Sequence, residues 1–282
     1  MSATITAADV NKLRQTTGAG MMDCRKALVE SEGDFEKAID YLRKKGQKVA
    51  ANRSDREAKE GVVVAKASAD GKTGVVLQLS SETDFVSKNA EFIDFANQLT
   101  DIALEGGVSD IEGVKALSMG GATVGDKLLE MVAKIGEKID VVRFEKVEAE
   151  AVVPYIHGNY RIGVLVGMNA PVSEEVTAAG RDVAMQIAAM NPLGLNHESI
   201  DPAVVERERG IVMEQMKTDP KMAGKPEEMI SKVAEGKLNA FFKENTLMAQ
   251  AFVKDSGKSV ADYLKGVGKD LTVTQFVRVA VG

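Results

Sequence analysis

Histidine and cysteine, the residue types of zinc sites and of Cys-His nucleophile pairs, are rare in this 282-residue chain. One cysteine, Cys24, and two histidines, His157 and His197, are present, so a zinc site would need nearly all of them to converge. Cys24 lies in an amphipathic pattern, where a cysteine is usually a small packing residue and not a nucleophile. The segment GKTG at 71–74 lacks the spacing of a phosphate-binding loop and is interpreted as a turn. The sequence therefore gives no coherent set of residues for an enzyme.

The segment SSETDFVSKN, residues 80–89, suggests an interaction instead, in which an apolar side chain inserts into a partner protein. It sets Phe85 among polar residues directly after the apolar run GVVLQL. If the next helix starts as early as Thr83, Phe85 lies seven residues before Phe92 on one face and belongs to the core. If Ser87 is the N-cap instead, TDFV lies in a loop and Phe85 is available to a partner. The residue pattern alone leaves both interpretations open.

Composition indicates a soluble globular protein of roughly two domains. Hydrophobic residues make up 44% of the chain and charged residues 28%, and the net charge is -6. This acidic balance argues against long-range attraction to nucleic acid, so no direct nucleic-acid partner is expected. The N-terminus lacks the pattern of a signal peptide, no run approaches the ~20 apolar residues of a membrane span, and a single cysteine fits a reducing compartment. We expect a cytoplasmic protein without a membrane partner.

Three short helices are predicted in the first 46 residues. Thr6 is a favourable N-cap with Asp9 at the N3 position, and Asp34 caps the third helix. The polar stretch QKVAANRSDREAKEG at 47–61 has no strong periodicity and predicts a linker. We therefore assign a three-helix N-terminal domain with its linker to residues 1–54.

From Gly61 onward the pattern changes to strands, and one unit occurs twice. GVVVAKASADGKTGVVLQL predicts a hairpin and AEFIDFANQLTDIAL a helix; AVVPYIHGNYRIGVLVGM and SEEVTAAGRDVAMQIAAM repeat that order. The sequence therefore predicts an α+β fold whose core consists of two related αβ subdomains with antiparallel sheets, at 55–145 and 146–282. The final segment LTVTQFVRVAVG predicts a strand that returns to the sheet.

A protruding antiparallel helical hairpin is predicted at about 201–245. Asp201 and Pro202 form an N-cap and N1 pair before AVVERERGIVMEQM, and KPEEMISKVAEGKLNAFFKEN supplies the second helix. Both helices carry a narrow apolar stripe on an otherwise charged surface, which is typical of two helices that pack on each other. The stripe contains the following residues: Val204, Val205, Ile211, Val212, Met216, Met229, Val233, Leu238, Phe241 and Phe242.

Four segments together resemble the elongation factor Ts family, the guanine-nucleotide exchange factors of elongation factor Tu. They are TGAGMMDCRKAL, TDFVSKN, VAKIGEKI and HGNYRIGVLV, and they occur in the family's order over the first two thirds of the chain. The resemblance implies a ubiquitin-associated-like N-terminal domain and a protein that binds elongation factor Tu in its GDP-bound and nucleotide-free forms. It also implies a protein without a cofactor, which acts on the magnesium and GDP held by the partner.

The resemblance further implies two sets of partner-binding residues. The set implied for exchange is Thr83, Asp84, Phe85, Val86, Ile135, His157 and Gly158. The set implied in the N-terminal domain is Gly18, Ala19, Gly20, Met21, Met22 and Lys26. From the pattern alone, Ile135 and the methionines are equally compatible with packing, and His157 with a solvent-facing turn.

Two other functions stay open at this point. Three-helix domains of this type also serve as adaptors, so the chain is compatible with a binding module that lacks exchange activity. The basic run RKKGQKVAANR at 43–53 is compatible with RNA binding, although such runs are more often solvated helix ends. The sequence also leaves open whether the core forms a dimer with a second copy of itself.

Overall fold

The computed structural model describes residues 5–220, 222 and 225–282. The helices are α1 (Ala7–Thr17), α2 (Met21–Glu30), α3 (Phe35–Asn52), α4 (Asp84–Ser87), α5 (Ala90–Gly106), α6 (Ile111–Ala116), α7 (Val124–Ile135), α8 (Glu174–Met190), α9 (Pro202–Thr218), α10 (Glu227–Asn245) and α11 (Val260–Val267), with a 3-10 turn at His197–Ser199. The strands are β1 (Glu60–Ala67), β2 (Thr73–Ser81), β3 (Ser118–Met119), β4 (Ala122–Thr123), β5 (Asp140–Glu148), β6 (Ala151–His157), β7 (Ile162–Met168), β8 (Ala251–Phe252), β9 (Asp255–Ser259) and β10 (Val273–Ala280). The mixed α+β class with N-terminal helices and antiparallel sheets is as the sequence predicts.

The N-terminal helices begin where the capping residues predict. Thr6 and Asp9 form a reciprocal capping box at the start of α1, and the Asp34 side chain accepts a hydrogen bond from the Lys37 N–H at the start of α3. The three helices bury a small core of their own, made of Val10, Leu13, Ala19, Cys24, Ala27, Leu28, Ala38 and Leu42. This core confirms that Cys24 is a packing residue, and burial raises the pKa of its thiol.

The predicted linker at 47–61 is wrong over its first part, because α3 continues to Asn52. Gly46 lies so close to α7 that a side chain there would clash with the Leu129 carbonyl oxygen. Beyond it, Val49 and Ala50 pack against the core beneath α5 and α7. Tertiary packing therefore extends the helix through a stretch whose own pattern is weak.

Two three-stranded antiparallel sheets lie face to face. Their strand orders are β1-β2-β5 and β10-β7-β6, and the pairing of β10 with β7 confirms that the last strand returns to the sheet. Successive residues of a strand point to opposite faces: Val62 contributes to the core under α5 and α7, whereas Val63 contributes to the core between the sheets. The sheets approach so closely that a Cβ on Gly163 would lie 2.5 Å from Val63 Cγ1. The core under α5 and α7 is called the first core below.

Helices α9 and α10 pack on each other through a small cluster that contains Val212, Met216 and Ala234. Two members of the predicted stripe, Ile211 and Met229, are 42% and 47% exposed, so the stripe is wrong at those positions. The predicted connection between the helices falls partly on residues 221, 223 and 224, which lie outside the described residues. In the part of the chain that the structure describes, every helix is too short or too polar to span a bilayer.

Candidate functional site

Phe85 lies on α4, a single helical turn between β2 and α5, and its side chain is 86% exposed. The next residue, Val86, is partly buried against the first core. Consecutive side chains of a helix are about 100° apart, so the inward position of Val86 turns Phe85 towards solvent. A phenylalanine exposed to this degree is available to a partner.

Both sequence interpretations of this segment need correction. Phe85 is not part of the core, although Phe92 is fully buried. Ser87 is not an N-cap, since it is the last residue of α4, and Asn89 caps α5 instead by accepting a hydrogen bond from the Glu91 N–H at 2.9 Å. Residues 84–87 are therefore helical and not a loop, and the break before α5 separates Phe85 from the buried face of that helix.

The segment that leads into α4 is held by the carboxylate of Glu137. Glu137 Oε2 accepts hydrogen bonds from the backbone N–H groups of Glu82 and Thr83, both at 3.0 Å. Glu137 Oε1 accepts a third hydrogen bond from the Thr83 hydroxyl at 2.7 Å. Because this hydroxyl is engaged with Glu137, Thr83 makes no side-chain cap for α4.

Glu82, a residue of this segment, accepts hydrogen bonds in turn from two other segments. Both of its carboxylate oxygens lie 2.8 Å from Arg53 Nη1, and one accepts the Lys138 N–H at 2.6 Å. Partial burial acts to raise the pKa of Glu82, but the hydrogen bonds from Lys138 and Arg53 outweigh it and the pKa lies below its usual range. The Lys138 ammonium in turn donates to the carbonyl oxygens of Ser54 and Arg56 at 2.7 and 3.1 Å. The two carboxylates thus tie together three segments that are distant in sequence.

Asp84, directly before Phe85, is paired with its own helix. Its carboxylate lies 2.6 Å from the Lys88 ammonium, one helical turn later. The hydrogen bond from Lys88 and the charge of that lysine lower the pKa of Asp84. The side chain is about half exposed, so Asp84 is an anion that a partner can reach.

Ile135 and His157 lie on two other segments that border the first core. Ile135 is the last residue of α7 and is partly buried against that core. His157 is exposed at the end of β6, where its Nδ1 lies 2.9 Å from the Tyr155 hydroxyl. Gly158 follows with φ +62° and permits the tight turn to β7. Tyr160, in the same turn, packs against the first core, as do Ile135 and Val86.

The implied N-terminal residues divide into an exposed group and a structural group. Met21 and Met22 are 55% and 74% exposed on the first turn of α2, and Lys26 is exposed one turn further on. Ala19 is buried in the core of the three helices, and its carbonyl oxygen accepts the Cys24 thiol at 3.6 Å.

Two glycines shape this exposed surface. Gly18 ends α1 in the left-handed conformation with φ +68°, and Gly20 is the N-cap of α2. A Cβ on Gly18 would lie 3.6 Å from the Lys134 side chain of α7. Gly18 therefore lies against the helix that ends at Ile135, three residues before the first exposed methionine.

Comparison with known proteins supplies the decisive observation. Residues 82–282 match the family described as "Elongation factor TS". The chain is 49% identical to the elongation factor Ts of Flavobacterium psychrophilum, over 99% of this chain and all of that protein. It is 50% identical to that of Christiangramia forsetii with the same coverage, and 43% identical to that of Clostridium perfringens over 99% of this chain and 93% of that protein.

The chain belongs to the elongation factor Ts family. Elongation factor Ts is the nucleotide exchange factor of elongation factor Tu, is not a catalytic enzyme, and has no cofactor of its own. Among the described residues, no group of three or more histidine, cysteine, aspartate or glutamate side chains is placed to hold a metal ion. His197 instead makes an edge contact with the ring of Phe242, 3.9 Å between centroids.

Sequence reasoning missed two residues of this elongation factor Ts chain that the structure brings to the site. Glu137 contacts Thr83 across 54 positions of sequence, and Tyr160 reaches the first core from the other sheet. Neither residue has a local signal, since an acidic residue after a helix and a tyrosine in a turn are ordinary surface features. Only the fold brings Glu137 to the segment before Phe85 and Tyr160 to the first core.

Proposed function

We propose that this chain promotes GDP release from elongation factor Tu by disrupting the magnesium and phosphate-loop region of that partner. A GTPase holds its nucleotide through a phosphate-cradling loop and a magnesium ion. The observation that carries the proposal is the 86% exposure of Phe85 on a one-turn helix. The segment before that helix is fixed by hydrogen bonds to the carboxylates of Glu137 and Glu82. Such a ring is suited to enter a partner as a wedge.

The energetics require more than one contact. An exchange factor must bind the nucleotide-free partner better than the GDP form, and by linkage it weakens GDP binding to the same extent. A shift of about 10⁴-fold needs about 5.5 kcal/mol of differential binding. Burial of one phenylalanine side chain contributes about 1.5–3 kcal/mol. Phe85 therefore has to act together with other residues.

We infer a division of work among the exchange residues. Phe85 wedges between partner helices beside the magnesium site, and Asp84 forms a hydrogen bond there, so that magnesium coordination is lost. Ile135 and His157 add the contacts that displace the phosphate loop. The support for this division is that Val86 next to Phe85, Ile135 itself and Ile156 next to His157 all pack against the first core.

Three further residues of the implied exchange set have supporting roles in this proposal. Thr83 and Val86 fix the two sides of α4, through Glu137 and the first core respectively. Gly158 gives the turn beside His157 the positive φ that a larger residue adopts only with strain. We expect these three to act mainly through the neighbours that they position.

The N-terminal surface is proposed as an anchor on the GTPase domain of elongation factor Tu. It consists of Gly18, Ala19, Gly20, Met21, Met22 and Lys26, of which Gly20, the two methionines and the lysine are exposed. Methionine side chains adapt to irregular surfaces, which suits a contact kept in every nucleotide state. Uniform binding of this kind raises affinity without shifting the GDP equilibrium.

We also propose a finer division of the fold. Residues 1–54 form a ubiquitin-associated-like domain, residues 55–145 and 146–282 form related αβ subdomains, and residues 201–245 form a protruding arm. The shared order of strand, turn, strand and helix in β1-β2-α5 and β6-β7-α8 supports the relation between the two subdomains. Sedimentation of the purified chain tests whether the core associates with a second copy of itself.

The test is GDP release from elongation factor Tu, followed by stopped flow with a fluorescent GDP and catalytic amounts of this protein. Large acceleration at substoichiometric amounts is the expected result. Saturable binding of elongation factor Tu without any acceleration would mean an adaptor and overturn the proposal. Strongly salt-dependent RNA binding in a parallel titration would instead support the RNA function of residues 43–53.

A further inference from the structure

The exposed phenylalanine lies on an element that has little stability of its own. Helix α4 has four residues and no side-chain cap, and isolated helices of this length do not persist in water. Its only exposed large apolar side chain is Phe85, and its inward anchor is Val86. Contacts from outside the helix must therefore fix the direction of the Phe85 ring.

Glu137 makes three hydrogen bonds with the two residues that lead into α4. Its two oxygens accept three hydrogen bonds from Glu82 and Thr83, at 2.7 to 3.0 Å, immediately before α4 begins. Glu137 follows Ile135 by two residues, so the carboxylate joins the Phe85 segment to the Ile135 segment. The Lys138 N–H, next to Glu137, donates a further hydrogen bond to the Glu82 carboxylate and so joins the same two segments a second time.

We propose that Glu137 is a positioning residue for nucleotide exchange, which fixes the Phe85 ring relative to Ile135 so that both meet elongation factor Tu together. The inference rests on the proposed exchange function and adds a residue outside both implied sets. Glu137 acts through Thr83 and α4, and its carboxylate is already engaged with three donors within the chain. Without it, α4 samples several directions, and the wedge meets the partner in the wrong geometry.

Glu137→Ala is expected to lower the GDP release rate at saturating exchange factor by roughly tenfold or more, since small misplacements of a working group have effects of that size. Glu137→Gln keeps an oxygen for the two N–H donors and an amide that donates to the Thr83 hydroxyl. It should therefore recover most of the rate. A purely electrostatic role for Glu137 would leave Glu137→Gln as impaired as Glu137→Ala and would overturn the positioning role.

Glu130→Ala is the matched control. Glu130 is another carboxylate of the α7 region and is largely buried, but its ion pairs are with Lys127 at 2.7 Å and Arg43 at 3.9 Å, neither of which belongs to α4 or the segment before it. Its removal tests whether loss of stability alone slows exchange. The saturated release rate of Glu130→Ala should equal that of the unmodified chain.

A double-mutant cycle with Phe85→Ala decides whether Glu137 works through the wedge. The expected result is that Glu137→Ala has little further effect once Phe85 is replaced by alanine. Fully multiplicative effects, or a Glu137→Ala rate equal to that of the unmodified chain, would overturn this inference while the exchange function stands. If the unmodified chain itself gives no acceleration, the exchange function fails and this inference fails with it.

Discussion

Phe85, Met21 and Met22 are all exposed apolar side chains, but the helices that present them are stabilised by different interactions. The methionines begin α2, a ten-residue helix whose inner face buries Cys24 and Leu28 completely. Phe85 lies on a four-residue helix that depends on hydrogen bonds from distant segments. The Met21 and Met22 surface is therefore supported by a packed apolar core. Phe85 is supported instead by the hydrogen bonds of Glu82 and Glu137, which are called the polar junction below.

This difference matches the two tasks of an exchange factor. Methionine has several rotatable bonds and follows the shape of a partner, which favours binding in every state. Phenylalanine has few rotamers, so a ring on a fixed support meets only the partner conformation that has room for it. We therefore expect the Met21 and Met22 surface to set affinity and Phe85 to set the preference for the nucleotide-free state.

The largest expected effect belongs to Phe85→Ala. It should weaken binding to nucleotide-free elongation factor Tu by about 1.5–3 kcal/mol, roughly tenfold to a hundredfold, and should leave binding to the GDP form nearly unchanged. Isothermal titration with and without excess GDP checks this. The melting temperature should not change, because the side chain is 86% exposed. Equal weakening in both states would remove the distinction between wedge and anchor.

The next effect is that of the double variant Met21→Ala with Met22→Ala. Loss of two apolar contacts with the partner should weaken binding by about 1–2 kcal/mol in both nucleotide states alike. The same titrations measure it, and Val253→Ala, another exposed apolar position, is the control that should have no effect. A variant that weakens only the nucleotide-free complex would give the methionines the role assigned to Phe85.

His157→Ala should have a smaller effect, about threefold to tenfold on GDP release, as expected for one hydrogen-bonding side chain at a partner surface. Tyr155→Phe removes only the hydroxyl that lies 2.9 Å from His157 Nδ1 and should cost less. Release rates for both variants test this order. A larger effect for Tyr155→Phe would indicate a direct contact by the tyrosine.

The smallest expected effect is on the free energy of unfolding and its pH dependence, through the hydrogen bonds of Glu82 in the polar junction. The pKa of Glu82 lies below its ordinary value of 4.5, so the charged form stabilises the fold above about pH 4.5 and this contribution is lost as the pH falls further. Glu82→Gln should therefore lower the free energy of unfolding by about 1 kcal/mol at pH 7, and the difference should shrink towards pH 3.5. Urea denaturation at both pH values measures it; a difference independent of pH would contradict the assigned cause.

The sequence predicts those features that depend on neighbouring residues. The capping box at Thr6, the cap at Asp34 and the hairpin before the 80–89 segment follow from local patterns, and the structure confirms them. Family resemblance adds the residues that are expected to meet the partner.

The features that sequence reasoning missed depend on long-range contacts. The helix α3 continues through the predicted linker because Gly46 packs closely on α7. The separate turn at Asp84–Ser87 exists because Glu137, more than fifty positions away, engages the hydroxyl and N–H of Thr83. Local propensity cannot indicate either contact.

The most direct test of the contrast is the GDP release rate as a function of exchange-factor concentration, measured in parallel for Phe85→Ala and for the Met21 and Met22 double variant. The account predicts that Phe85→Ala lowers the maximal rate at an almost unchanged half-saturating concentration. It predicts that the double variant raises the half-saturating concentration and reaches the maximal rate of the unmodified chain. If both variants change the same parameter, the division between wedge and anchor is wrong.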